Sequence, residues 1–454
     1  MPSATKSFSV VDRVARHGFP RLANIYQISD PHGLPNGEAV SLFNKLHLWD
    51  IALIDSEAVR RFSNYLGLNG KLRQRNEDLV TLVYFSAGDV PTDWTKNSSV
   101  TIFQEYVQQL RPEWLLRDGE GRPIRIFEPR PGVWHHAQNP KTKIQEFLPE
   151  FVNKKILSRA EVDGIFYDWA TSSVAWLKHQ YSNHPISIDG DGHLLSDVET
   201  DREWTKGYRR MLSISRDIFP PGTLIVGNGG WNSGLPYLHD LNGIMMEQFL
   251  RGEKVDAERF GWSAVMKSYG AFAQGALEPR VSIVMASSDS QIEFKEMRFA
   301  LASTLMFDGY FCFTNTQSQE NGFRPYASAW WFDEYAVNLA NGHAVQSLPM
   351  KGYLGRPLSE ARDHFDPRSR LAEALVDAGD DEGEMRVDEK IWWRPFEHGA
   401  AFVNPGKSSV RVKFSRPMKK IKGVFDPAFN DGSVANEIVL DARSGAILLN
   451  GPLF

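Results

Sequence analysis

Short apolar runs that alternate with helix-compatible stretches constrain the fold of this chain most. Each run is rich in aliphatic, β-branched or aromatic residues and is bounded by Gly, Pro or polar residues, as is typical of parallel strands covered on both faces. Alternation of strands with helical stretches favours a parallel sheet. The runs are Leu22–Ser29, Trp49–Ile54, Leu79–Phe85, Gly164–Tyr167, Thr223–Gly227, Gly243–Glu247, Val281–Ala286 and Tyr310–Phe313. They predict an α/β protein with a (β/α)8 barrel over residues 20–345, and a doubly wound open sheet is the alternative.

Helices are expected in the polar stretches between these runs. The predicted helices are Ser56–Leu66, Thr101–Leu110, Ser172–Gln180, Asp201–Ile218 and Glu293–Met306.

The strand and helix rhythm breaks in three places, and these breaks define the expected domains. Residues 1–19 form an N-terminal arm. Residues from about 94 to 160 interrupt the barrel between its third and fourth strands, and we expect this insertion to decorate the mouth of the barrel, since long connections in compact domains usually serve as lids or binding loops. A linker and loop region at 346–385 leads to residues 386–454, where alternating strands and a turn at Asn430-Asp431-Gly432 predict a small antiparallel β-sandwich.

Composition excludes several classes of protein. The formal net charge of −5 argues against a nucleic-acid-binding surface, which usually carries clustered basic residues. The amino terminus has no continuous apolar segment, and no run reaches the roughly 18 apolar residues of a membrane span, so we expect a soluble protein with neither a signal peptide nor a membrane partner. Cys312 is the single cysteine, which excludes an intrachain disulfide and a thiolate zinc cluster. Compartment and oligomeric state stay open.

Two of the apolar runs end on a carboxylate. Asp168 follows the fourth run, and Glu247 closes the sixth. Side chains at the carboxyl ends of barrel strands converge at one mouth, so the two acids are candidate partners. Cleavage of a glycosidic bond needs such a pair, one to protonate the leaving oxygen and one to act as nucleophile or base. We assign Asp168 as nucleophile or base and Glu247 as acid, with the reverse left open; capping of a helix or pairing with an arginine is the structural alternative.

Other polar and aromatic residues near strand ends are predicted to contact a substrate. They are Tyr26, Asp55, Tyr84, Trp169, Asn228, Trp231, Arg251, Asp289 and Asn315. Asp55 and Asp289, together with Asp89, are better suited to cap a helix or to hydrogen-bond a substrate than to act as the proton donor. Aromatic neighbours such as Tyr167 and Phe249 are expected to raise the pKa of the acid partner by lowering local polarity.

Several motifs resemble one family of proteins. The runs Asp163–Asp168 and Ile244–Glu247, the stretch Trp330–Tyr335 followed by Leu354–Pro357, and the β-rich segment Trp393–Pro405 resemble the hypothetical glycosyl-hydrolase-like barrel proteins, in particular their group fifteen. The resemblance covers most of residues 20–450. It implies a glycoside hydrolase in which the catalytic roles fall on Asp168 and, less firmly, on Glu247.

Three functions follow as hypotheses. The first is a glycoside hydrolase that acts on a polysaccharide or oligosaccharide without a metal or organic cofactor. The second is a non-catalytic barrel that binds carbohydrate through Trp169, Trp231 and Trp330. The third is a metal-dependent hydrolase or deacetylase that uses His32, His135 and acids at strand ends.

Overall fold

A computed structural model describes residues 8–26, 41, 43–67, 70–91, 101–130, 133–178, 185–229, 234–249, 257–315, 329–377 and 387–451. The statements below concern these residues.

Eight parallel strands form the centre of the molecule, and they confirm the predicted barrel. In chain order they are β1 Ala23–Tyr26, β2 Ile51–Asp55, β3 Val80–Ser86, β4 Gly164–Asp168, β5 Leu224–Asn228, β6 Gly243–Met246, β7 Ile283–Ser288 and β8 Tyr310–Asn315. Neighbours in the chain are neighbours in the sheet. A parallel bridge between Leu22 and Phe311 joins the two edges, so the sheet closes. Closure removes both free edges, which an open doubly wound sheet would keep.

Helices surround the barrel in the described residues. They are α1 Val10–Arg16, α2 Ala58–Arg61, α3 Lys71–Arg75, α4 Ile102–Gln109, α5 Ile144–Val152, α6 Asp197–Ile218, α7 Ala257–Gly275, α8 Phe294–Thr304 and α9 Leu371–Asp377. The start of α6 is fixed by a capping box between Ser196 and Glu199, which satisfies backbone N–H groups that the first turn leaves unpaired. None of the described helices has both the length and the apolar character needed to cross a bilayer.

The predicted helix Ser172–Gln180 begins later than expected. Residues 169–176 form an irregular loop after β4, and the described chain becomes helical at 177. The carboxylate of Asp201 on α6 accepts hydrogen bonds from the backbone N–H groups of Val174 (2.7 Å) and Ala175 (2.8 Å). These donors are therefore bound to a side chain of another element, which competes with helix formation.

The connection from β3 to β4 carries a small sheet on the mouth side of the barrel. Its strands Asp89–Pro91, Val133–Ala137 and Arg125–Arg130 are antiparallel, in that order. The first strand of this sheet begins at Asp89, only a few residues after the carboxyl end of β3. The sheet therefore lies beside the acids at the ends of the neighbouring strands.

The region after the barrel is antiparallel, as predicted. A six-stranded sheet has the order Arg362–Asp363, Trp392–Phe396, Gly399–Asn404, Ser444–Asn450, Val410–Lys420 and Val434–Leu440, and a two-stranded sheet pairs Val337–Asn338 with His343–Ala344. One face of the six-stranded sheet packs on the barrel through α8 and shares its core, with Ala401, Val403 and Ile447 buried there. The other face buries a separate cluster that includes Phe402 and Val412. The domain boundaries stay a prediction.

Two acids in the motifs that resemble the family make structural contacts and do not lie at the mouth of the barrel. Asp333 accepts hydrogen bonds from the backbone N–H groups of three consecutive residues at 424–426 and so ties the barrel to a loop of the C-terminal region. Asp163 precedes β4 and lies at the end of the strand opposite to Asp168, where it pairs with Arg13 and Arg73. Acids at this end of a barrel stabilise the fold.

Candidate active site

One side-chain amide joins the two predicted acids. Asn228, the last residue of β5, donates from Nδ2 to Oδ1 of Asp168 at 3.0 Å and to Oε2 of Glu247 at 2.6 Å. Because both bonds share one nitrogen, these two carboxylate oxygens are separated by at most about 5.6 Å. Asp168 ends β4 and Glu247 follows β6, so three adjacent strands deliver the three groups to one point at the mouth.

Asp168 accepts two further hydrogen bonds. The hydroxyl of Tyr84 on β3 donates to Oδ2 at 2.7 Å, and the backbone N–H of Trp169 donates to Oδ1 at 2.9 Å. Together with Asn228, these donors occupy both oxygens and fix the orientation of the carboxylate. Hydrogen bonds of this kind favour the ionised form of an acid.

The backbone is unusual directly after both acids. Trp169 has φ of 66° and Gln248 has φ of 54°, which places both in the left-handed region that side chains other than glycine rarely adopt. Such conformations persist where the surrounding structure enforces them, and they concentrate at functional sites. The same departure from strand geometry at two separate strand ends turns the chain away from the barrel and leaves each carboxylate at the mouth.

The electrostatics of the site favour one retained proton. Burial and the adjacent carboxylate of Glu247 raise the pKa of Asp168 to about 7, with a further contribution from Asp89, while the bonds from Tyr84 and Trp169 act in the opposite direction. Below about pH 7 the site therefore retains a proton that an exposed carboxyl group would have lost.

A buried acid and a histidine complete the mouth on the side of β3. Asp89 is hydrogen-bonded by Ser86, and its Oδ2 lies 2.6 Å from Nδ1 of His135 on the neighbouring strand of the small sheet. The sequence alone does not connect Asp89 with His135. They are 46 positions apart in the chain, and their pairing depends on how the insertion folds.

The other predicted substrate contacts occupy different positions. Asp55 accepts a hydrogen bond from the backbone N–H of Glu57 at 2.7 Å, as a capping acid before α2 does. Asn315 ends β8, Tyr26 ends β1, and Asp289 lies just beyond β7 with its side chain exposed. Trp231, Arg251 and His32 lie outside the described residues. Phe249 is buried, and Trp330 packs against Phe313 with ring centroids 6.0 Å apart.

No group of three or more His, Cys, Asp or Glu side chains in the described part of the chain has the arrangement of a metal site. Here His135 faces a carboxylate of the mouth, and Cys312 is buried in β8, where burial raises the pKa of its thiol to about 12.

The fold and the site define a class: a (β/α)8 barrel with a close pair of carboxylates at the carboxyl ends of its strands, the arrangement used by carbohydrate-active enzymes. A family model described as hypothetical glycosyl hydrolase family 15 matches residues 73–400, and the chain belongs to this family. A search of curated proteins found no match.

Solved structures with a similar fold include several enzymes that act on sugars. They are an alpha-amylase from Malbranchea cinnamomea (9% identity, 98% of each chain covered, TM-score 0.43), a GH31 family sulfoquinovosidase from E. rectale (9% identity, 97% of this chain and 62% of that chain, TM-score 0.45) and alpha-L-fucosidase isoenzyme 2 from Paenibacillus thiaminolyticus (13% identity, 65% of this chain and 46% of that chain, TM-score 0.42). This chain thus spans less than two thirds of the fucosidase and sulfoquinovosidase chains.

Proposed function

We propose that the protein is a retaining glycoside hydrolase. The observation that carries this proposal is the shared hydrogen-bond donor, Asn228, which limits the separation of the two carboxylate oxygens to about 5.6 Å. Retaining enzymes place their carboxyl groups about 5 to 5.5 Å apart, whereas inverting enzymes keep about 6.5 to 9.5 Å to admit a water molecule. The upper bound for the two oxygens that accept from Asn228 lies below the inverting range, which supports direct attack by one carboxylate on the sugar.

Asp168 is the proposed nucleophile. Its two oxygens accept three hydrogen bonds, one of them from a backbone N–H that cannot turn round, so the group is held as an oriented carboxylate. It attacks the anomeric carbon as the glycosidic bond breaks, and Glu247 gives its proton to the leaving oxygen. Glu247 then takes a proton from water, which attacks the same carbon and releases Asp168. Asn228 is a positioning residue in this scheme.

The stereochemistry of the product tests this proposal. Soluble starch, a galactan and a galactosaminan, each with an aryl glycoside of the same sugar, form a suitable panel. We expect the first-formed product to have the anomeric configuration of the substrate, as observed by proton NMR within the first minutes of reaction, before mutarotation. An inverted product would require the acids to admit a water molecule between them and would refute the assignment. Absence of hydrolysis across the panel would refute the enzymatic function for these sugars.

The pH dependence should follow the proton that the site retains. Because the pKa of Asp168 is raised to about 7 by burial and by Glu247, this proton is lost as pH rises through that value. We expect kcat/KM for a substrate with a poor leaving group to fall above about pH 7. A 2,4-dinitrophenyl glycoside needs no proton donor, so its rate should not fall over the same range. A rate that declines equally for both substrates would contradict the role of the proton as general acid.

A further inference from the structure

Two tryptophans of the loop after β4 stack on each other, and the first of them directly follows the candidate nucleophile in the chain. Trp169 follows Asp168 directly, and Trp176 stacks on it with ring centroids 6.1 Å apart and an angle of 15° between the planes. Trp169 is only partly exposed, and Gly88 lies so close that a β-carbon there would collide with it. Trp176 is thus the more exposed ring of a stacked pair whose other ring belongs to the residue after the candidate nucleophile.

Trp176 is held in place although it is 38% exposed. Its indole Nε1 donates to the carbonyl oxygen of Ser173 at 3.1 Å. The loop that carries it is tied to its surroundings at both ends: Asp201 binds the segment at 173–175, and the side chains of Trp204 and Tyr237 both donate to the carbonyl oxygen of Thr171. An aromatic ring fixed before binding loses little conformational freedom when a ligand covers it.

We propose that Trp176 is a stacking platform for a second sugar residue of a bound chain, so that the substrate class is an oligosaccharide or polysaccharide instead of a single glycoside. This inference rests on the proposed function. A pyranose ring has an apolar face of C–H groups and a polar rim, which matches a flat indole whose edge is already hydrogen-bonded. A large, rigid apolar side chain left exposed beside a catalytic group loses that exposure when a sugar stacks on it, and this favours binding.

Substitution of Trp176 separates binding of a chain from chemistry on one sugar. We expect W176A to lower kcat/KM about tenfold on whichever of soluble starch, galactan or galactosaminan the wild type cleaves, which corresponds to a stacking contribution of about 1.4 kcal/mol. Hydrolysis of the 2,4-dinitrophenyl glycoside of the same sugar should change less than twofold. W176F keeps an aromatic face and should lie between the wild type and W176A.

Affinity electrophoresis gives a readout that does not need catalysis. The same three polymers are cast in native gels, and the migration of D168N is compared with that of D168N/W176A. D168N/W176A should be retarded less than D168N, with a dissociation constant for the polymer that is about tenfold higher. F365A is a matched control, because Phe365 is 62% exposed next to a strand of the C-terminal sheet, and it should leave retardation unchanged.

The outcomes distinguish this inference from the proposed function. Retardation that depends on Trp176 without any hydrolysis by the wild type would support the platform and overturn the enzymatic function. Cleavage of a polymer with no effect of W176A would overturn the platform alone. A panel in which no polymer is retarded or cleaved, or an equal loss on polymer and aryl glycoside, would also overturn it.

Discussion

Replacement of Asp168 by Asn is expected to reduce kcat on the order of 10⁴-fold or more, because the variant loses the proposed attacking carboxylate. Activity is measured as release of dinitrophenol from the 2,4-dinitrophenyl glycoside that the wild type cleaves. In the smaller variant D168G, added azide should restore turnover and give a glycosyl azide of inverted configuration, because the anion occupies the position of the missing carboxylate.

The variant E247Q is the matched control for the roles of the two acids. It should lose about 10² to 10⁴-fold on substrates with poor leaving groups, since it lacks the proton donor. On the dinitrophenyl glycoside it should still form the glycosyl-enzyme, and azide should then yield a product of retained configuration. If the aspartate variant instead gave the retained azide product and the glutamate variant gave the inverted one, Glu247 would be the nucleophile and Asp168 the acid.

Replacement of Asp163 by Ala is expected to cost about 3 to 5 kcal/mol of unfolding free energy, because it leaves two buried guanidinium groups without their anion. The side chains of Arg13 and Asp163 are only 4% and 8% exposed, and Arg73 approaches the same carboxylate at 2.6 Å. Asp163 also accepts the backbone N–H of Thr81 at 2.8 Å, which links β3 to β4 at the base of the barrel. Urea unfolding followed by tryptophan fluorescence measures the change.

Two controls make this result specific. E437A removes an exposed pair with Arg411 on the C-terminal sheet and should cost less than about 1 kcal/mol. D168N should be at least as stable as the wild type at pH 8. The folded-state pKa of Asp168 is raised from 3.8 to about 7, so its ionisation is unfavourable in the fold and the stability it confers is lost as pH rises through 7. A stability loss in D168N equal to that in D163A would contradict the division of roles between the two ends of β4.

Much of the fold is predictable from local sequence because the barrel strands are buried on both faces. A run such as Gly164–Tyr167 has no solvent-exposed face, so it is apolar throughout and easy to recognise. The two acids are visible for the same reason, since a carboxylate directly after such a run has no place in the core. The position of Asn228 at the end of a predicted strand places it at the mouth. Its contact with both acids depends on how three strands align, and the sequence of one strand does not specify that alignment.

Other parts of the site depend on contacts between distant segments. The pairing of Asp89 with His135 follows from the fold of the insertion, and the position of Trp176 follows from Asp201, which lies on the next helix. The stretch that contains Trp176 has a composition compatible with a helix, and tertiary hydrogen bonds override that preference. Local propensity predicts what a segment forms alone, and it does not predict which partner captures its backbone.

The register of the strands and the sequences of the loops determine different properties of the proposed enzyme. The register sets the configuration of the product, and the loops set the sugar preference. Gly227 aligns with Tyr167 and Asn228 aligns with Met245, so the spacing of Asp168, Asn228 and Glu247 is set by main-chain pairing in the wall of the barrel. Loops such as 169–176 join that wall without setting its alignment. Descendants of the proposed enzyme can therefore acquire new sugar preferences by exchanging loops, while retention of the anomeric configuration is inherited unchanged.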